Sequence, residues 1–175
     1  LFVAKPRERP AARRVAEVAP DIRSVVEVGC GLGHFLDECR GAGLGPLLGI
    51  EPGSGRFYAR DRLGLPVSEA GAEAAAPPFA PDLTAAFHVI EHLDDPVAAL
   101  ARMRRWMGPR GVLAVEVPDL LGEWSSVGLL AFHMAHRSYF SAETLQGVLA
   151  RAGFAVFFIT RADDDGLHPG NLRVF

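Results

Sequence analysis

Cysteine is scarce in this 175-residue chain: Cys30 and Cys39 are the only two. Two thiols cannot staple a disulfide scaffold, and a nine-residue separation is not that of a metal knuckle. A reducing, cytoplasmic setting is therefore expected. Long apolar runs are missing as well. No stretch reaches the ~18 residues that span a bilayer, and the chain does not start with a basic segment leading into an apolar core. Neither a membrane span nor an export signal is expected. Nor is there an excess of charge of one sign. Lys and Arg together number 18 against 21 Asp and Glu, for a formal net charge of −3, which argues against a global basic field that would gather nucleic acid or an anionic membrane. The local basic clusters 5–14 and 102–110 fall in helical patterns and read as solvated helix faces. No internal repeat is evident, and the absence of a Gly-Lys-Ser/Thr triplet excludes a P-loop.

What is present suffices for a packed core: 49% of residues are hydrophobic and 22% charged, fitting one domain over 1–175 with no room for a second full one. Pro10 opens a short helix closed by Pro20. Ser24 to Val28 is a β-branched run ending at glycines, and Gly33 to Cys39 carries Phe35, Leu36 and Cys39 at helical spacing. A second strand-helix unit follows in Pro46 to Ile50 and Ser54 to about Leu63. Residues 66–81 are rich in Ala, Pro and Gly and read as loop around a short strand at Val67. Apolar content returns from Asp82 to Val89. Asp94-Asp95-Pro96 then starts a helix with acids at the positive end of its dipole, and Val97, Leu100, Met103 and Met107 form its inward stripe.

Val112 to Val117 is a strand stopped by Pro118. Asp119 to Phe140 is long, aromatic and without clean periodicity, as expected of a functional loop or substrate lid. Ser141 N-caps a helix with Leu145, Val148, Leu149 and Ala152 inward, ended by Gly153, and Phe154 to Thr160 and Asn171 to Phe175 read as two strands. The alternation predicts an α/β fold: a doubly wound, mostly parallel Rossmann-like sheet with helices on both faces and a C-terminal antiparallel strand pair.

A strand feeding Gly29-Cys30-Gly31-Leu32-Gly33 and then a helix lets backbone approach a ligand closely and presents N–H groups at a helix start. Such a turn also serves plain tight packing. Glu51, at the end of the second strand, can accept hydrogen bonds from ribose hydroxyls. The third glycine comes one residue sooner than in the dinucleotide fingerprint G-x-G-x-x-G, and Glu27 stands two residues before the first. That spacing favours S-adenosylmethionine over NAD, with an NAD-linked oxidoreductase as a rival.

From about Ser24 to Phe175 the chain resembles the class I S-adenosylmethionine-dependent methyltransferases. The residues that carry the likeness are Val26 to Gly33, Gly49-Ile50-Glu51-Pro52, Phe87 to Pro96 (Phe-His-Val-Ile-Glu-His-Leu-Asp-Asp-Pro), Leu113 to Pro118, and His136 to Phe154, which is similar to a signature of a bacterial subgroup acting on small molecules and sugars. The resemblance implies a cofactor site of Glu27, Gly29, Cys30, Gly31, Gly33, Glu51, Pro52, Glu73, Ala74, Phe87 and His88. In it the glycines approach the methionine end, Glu51 holds the ribose, Glu73 with Ala74 meets the adenine, and Phe87 and His88 lie near the sulfonium. It implies methyl transfer to a small-molecule acceptor by in-line displacement, with no nucleic-acid or membrane partner. A binding module that keeps the cofactor pocket without catalysis is the alternative from another class.

His88-Val89-Ile90-Glu91-His92 also matches H-x-x-E-H, a zinc-hydrolase pattern. That chemistry needs both histidines on one continuous helix, whereas His88 falls at a strand end and the helix starts at Asp94-Asp95-Pro96. No metal site is therefore expected, and His92 reads as a hydrogen-bonded brace. His88 and His136 are the candidate general bases, since a reference pKa near 6.5 suits proton removal from a hydroxyl or amine; lid packing is the other reading of His136.

Overall fold

The computed structural model describes residues 19–121, 134–161 and 171–175. The expected leading helix lies almost wholly outside them, as do residues 122–133 of the expected lid. One sheet holds seven strands: β1 (Val25–Val28), β2 (Leu47–Ile50), β3 (Val67–Ser68), β4 (Leu83–Phe87), β5 (Val112–Pro118), β6 (Ile159–Arg161) and β7 (Asn171–Val174). Their order is β3-β2-β1-β4-β5-β7-β6. Four helices, α1 (His34–Gly41), α2 (Gly55–Asp61), α3 (Pro96–Trp106) and α4 (Ala142–Arg151), and a 3₁₀ turn at Ile90–His92 connect them. β1 pairs parallel with β2, and β2 with β3, while β7 runs antiparallel to both β5 and β6. This is the predicted doubly wound sheet with its antiparallel end. Strand order reverses at β1, so the loop leaving β1 sits at the topological switch point where open α/β sheets take ligands.

The chain divides into two compact units, 1–85 with 107–112, and 86–106 with 113–175. In the first, every residue of β1 is buried, as a parallel strand covered on both faces requires. The starts of β1 and β4 are tied by a reciprocal clamp. Ser24 donates through its N–H and its hydroxyl to Asp82 Oδ2, and the Asp82 N–H returns to Ser24 Oγ, all at 2.9 Å. α1 buries Phe35, Leu36 and Cys39, the stripe read from the sequence. Burial, followed by the charges of Glu27 and Glu38, pushes the Cys39 thiol up to about 12, so it acts as a small apolar side chain.

In the second unit, Asp95 Oδ1 accepts the Ala98 N–H and caps α3 ahead of Pro96. Ala99, Leu100 and Met103 form its buried face; Val97, expected there, is only half-buried. α4 opens on a full capping box, in which the Ser141 side chain takes the Thr144 N–H and the Thr144 side chain takes the Ser141 N–H. Leu145 and Leu149 anchor that helix inward. β6 is shorter than the predicted strand at Phe154 to Thr160. The Phe157 and Phe158 amides both donate to the Phe175 carbonyl, while Phe175 donates back to Phe158. Two residues thus oppose one, and this bulge ends regular pairing at Ile159.

Candidate functional site

In the first unit the loop from β1 to α1 takes its shape from glycine. Gly29, Gly31 and Gly33 have φ of 69°, 52° and 80°, in the left-handed region that other residues enter only with strain. Gly33 is doubly constrained, because a Cβ there would stand 2.7 Å from Leu65 Cδ1 and 2.9 Å from Ala59 Cβ. At Gly31 a Cβ would meet nothing within 4 Å, so the space beside the loop backbone is open. Glu51 closes the arrangement. Its Oε2 accepts the Gly31 N–H at 2.9 Å and its Oε1 accepts the Gly53 N–H at 2.6 Å. A carboxylate offers about four acceptor sites, so Glu51 retains capacity for two hydroxyl donors. α1 begins at Gly33 with no side-chain cap, leaving its N-terminal end to the loop.

In the second unit a polar cluster gathers around His88, which directly follows β4. Among the described residues His88 is the non-glycine residue with positive φ, at 55°, a strain of order 1–3 kcal/mol that persists only where surroundings enforce it. Its N–H is held by the Glu116 carbonyl at 2.8 Å. Its Nε2 lies 3.2 Å from Glu116 Oε1 and 3.3 Å from Asn171 Nδ2, and its Nδ1 lies 3.5 Å from Glu91 Oε1. Glu116 is held in turn by Arg173 Nε at 2.7 Å and Asn171 Nδ2 at 3.0 Å. Burial works against charge on His88, but hydrogen bonds and charges from Glu116, then Glu91, push it up to about 9. Burial likewise opposes charge on Glu116, and His88 and Arg173 overcome it, holding that carboxyl at about 2. His88 is thus an imidazolium at neutral pH.

Next to it, residues 135–138 return against the 3₁₀ turn. The Arg137 and Ser138 amides donate to the Glu91 carbonyl at 2.7 and 3.1 Å, and His92 Nδ1 lies 2.9 Å from the Ala135 carbonyl. The His136 ring stands edge-on to His92 with centroids 4.9 Å apart, and 5.8 Å from the Tyr139 ring. The two ends of the expected lid meet, since Asp119 and Phe140 form a parallel bridge and the Leu120 N–H donates to the Phe140 carbonyl at 2.7 Å.

With this geometry in view, comparison with known proteins is direct. Residues 3–157 match the model of a methyltransferase domain. The chain belongs to the methyltransferase domain family. Its fold is that of the class I S-adenosylmethionine-dependent methyltransferases: the structure aligns with such an enzyme from Mesorhizobium loti at TM-score 0.72 and 16% identity, covering 94% of each chain. It also aligns with the 1,6-didemethyltoxoflavin-N1-methyltransferase of Burkholderia thailandensis, solved with S-adenosylhomocysteine, at TM-score 0.74 and 16% identity over 95% of this chain and 75% of that one. Among curated proteins it is 34% identical to the trans-aconitate 2-methyltransferase of Acidovorax ebreus (strain TPSY) over 67% of this chain and 47% of that protein. A protein of the same name from Methylobacterium nodulans is 32% identical over 90% of this chain and 62% of that protein. The chain thus spans about half the length of the first of these relatives.

The structure brings several predicted cofactor residues of this methyltransferase domain together and leaves others apart. Gly29, Gly31, Gly33 and Glu51 form one hydrogen-bonded loop. Cys30 is buried under it, its Sγ 2.5 Å from where a Cβ on Gly49 would lie, and Glu27 is buried in β1. Pro52 is exposed, its carbonyl accepting Arg56 Nη1 at 2.6 Å. Glu73 and Ala74 are exposed on the turn 72–74 after β3, and Phe87 is half-buried at the end of β4. Trp124, Phe132 and His133, which fall within the expected lid, lie outside the described residues. Sequence reasoning gave no role to Glu116, Asn171 and Arg173. The signal was a glutamate and an arginine set within otherwise apolar strands, where a charge survives only with a partner.

Proposed function

We propose that this protein transfers a methyl group from S-adenosylmethionine to a small-molecule acceptor. The observation that carries the reading is the link between Glu51 and Gly31, which sets a carboxylate with spare acceptor capacity against an open, glycine-shaped loop. Gly29, Gly31 and Gly33 would hold the methionine end and Glu51 the ribose hydroxyls, with Phe87 and His88 nearest the sulfonium, and Glu73 with Ala74 at the adenine. Bound there, S-adenosylmethionine would supply a methyl carbon already activated by positive sulfur for in-line displacement, the sulfur being the leaving group. What the chain contributes is orientation, worth up to roughly 7–11 kcal/mol in favourable cases. The relatives named for trans-aconitate support an acceptor of metabolite size.

Glu116 and Glu91 face the two ring nitrogens of His88 and hold its proton, so His88 positions the site rather than acting as the base, and that role falls to His136. A proton on the acceptor, where there is one, passes to the half-buried imidazole of His136, for a gain of ~10²–10⁴-fold. The test is methyl transfer followed by mass spectrometry over a panel of carboxylic acids, hydroxyl compounds and amines. Glu51→Gln should weaken S-adenosylhomocysteine binding by about tenfold or more, since a hydrogen bond to a charged group contributes ~1.5–3 kcal/mol. Undiminished affinity in that variant, or no product from any acceptor class, would count against the assignment.

A further inference from the structure

Glu91, His92 and His136 are brought together although the chain separates them, and each offers one ligand atom within 4.8 Å of the other two. The Glu91 carboxylate carries the weight. It is 1% exposed; His88 Nδ1 pairs with its Oε1 at 3.5 Å, and His92 Nε2 lies 3.9 Å from the same oxygen. Its Oε2 is buried with no hydrogen bond among the described residues, and a buried carboxylate oxygen left so is expensive. His92 is prepared in the way metal-binding imidazoles are. With Nδ1 donating to the Ala135 carbonyl at 2.9 Å, the tautomer leaves the Nε2 lone pair facing Glu91. The His136 ring sits edge-on beside it. His92 is exposed and His136 half-buried, so the group has an open side.

The geometry points to a divalent transition-metal site formed by Glu91, His92 and His136, with its open coordination position taken by water or by an anionic oxygen of the acceptor. Two imidazoles and one carboxylate suit Zn²⁺ or Co²⁺ rather than Mg²⁺ or Ca²⁺, which take all-oxygen shells. Bonds of about 2.0–2.2 Å require the three atoms to draw in from their present separations. This is not the ligand set of the H-x-x-E-H motif. His88 stays with Glu116 and Asn171, and the third ligand comes from His136. The acceptor role rests on the methyltransferase reading, whereas binding of the ion does not. With the ion in place His136 no longer serves as base; coordination lowers the pKa of the acceptor, whose proton leaves to bulk water.

The experiment is titration of chelator-stripped protein with Zn²⁺ by calorimetry and with Co²⁺ by visible absorption. One equivalent should bind, with the d–d bands of a four- or five-coordinate Co²⁺ site. Glu91→Gln and His136→Ala should each weaken binding by roughly 100-fold, while His34→Ala, at the start of α1, should bind as the parent does. Circular dichroism establishes that the variants are folded, and His136→Ala, which removes only a half-buried ring, keeps the test open if Glu91→Gln is not. Binding of less than one equivalent, or unchanged affinity in both ligand variants, would overturn the site. S-adenosylhomocysteine binding by the stripped protein is read separately, and its failure would count against the methyltransferase reading without touching the metal result.

Discussion

At the scale of single residues, Glu116 shows how a charge is kept inside a sheet. It sits in a β-branched strand, 8% exposed, and is tolerated because Arg173, Asn171 and His88 satisfy it at 2.7, 3.0 and 3.2 Å. Removing one partner of a buried pair typically destabilises by 3–5 kcal/mol. The pH dependence follows from its carboxyl being held at about 2 against an ordinary 4.5. A depressed acid stabilises the folded state above its unfolded-state value and loses that contribution as pH falls through the folded one. The difference, at 1.36 kcal/mol per pKa unit, is about 3 kcal/mol. Glu116→Gln imitates the protonated acid, so the parent should exceed it in unfolding free energy by roughly that much at pH 6–7. The gap should narrow steadily between pH 4.5 and 2. Parallel denaturation curves across that range would rule out the proposed linkage.

At the scale of elements, α4 is held at its start by two reciprocal hydrogen bonds between Ser141 and Thr144. Ser141→Ala leaves the Thr144 N–H without its acceptor and should cost about 1 kcal/mol, lowering the midpoint of thermal unfolding by roughly 2–4 °C. Thr144→Val should act on the same pair, and the two losses should fall short of additive in the double variant. The same local chemistry explains which elements could be read in advance. β1 and β5 are runs rich in β-branched residues with glycine or proline at their ends, β2 is a short apolar run between Pro46 and Pro52, and α3 and α4 carry Asp95 and Ser141 as caps; each signal lies within a few residues of its element. β6 was misjudged in length because its boundary depends on Phe175, a partner that local sequence does not reveal, taking both the Phe157 and Phe158 amides. Residues 70–76 around the turn after β3 are mostly Ala, with Gly71, and show no periodicity, which is why the expectation for Glu73 and Ala74 rests on resemblance alone.

At the scale of the whole molecule, the shape of the glycine loop was legible because one short segment specifies it: three left-handed glycines and a carboxylate one strand away. The histidine group was not, because His136 is brought to His92 by the Arg137 and Ser138 amides donating to the 3₁₀ turn and by the His92 ring donating to the Ala135 carbonyl, contacts that no spacing in the sequence announces. Cofactor binding is therefore the property on which the reading of the molecule can be judged most directly. A ligand that binds only the folded chain stabilises it by RT ln(1 + [L]/Kd), about 2.7 kcal/mol at ~100 times Kd. For a domain of this size that should raise the unfolding midpoint by roughly 5–10 °C. S-adenosylhomocysteine should produce the shift in the parent, and at the same concentration a much smaller one in Glu51→Gln. NAD should produce little, because the third glycine arrives one residue too early for the dinucleotide turn. A shift with NAD and none with S-adenosylhomocysteine would reverse the assignment of the loop, and with it the reaction built upon it.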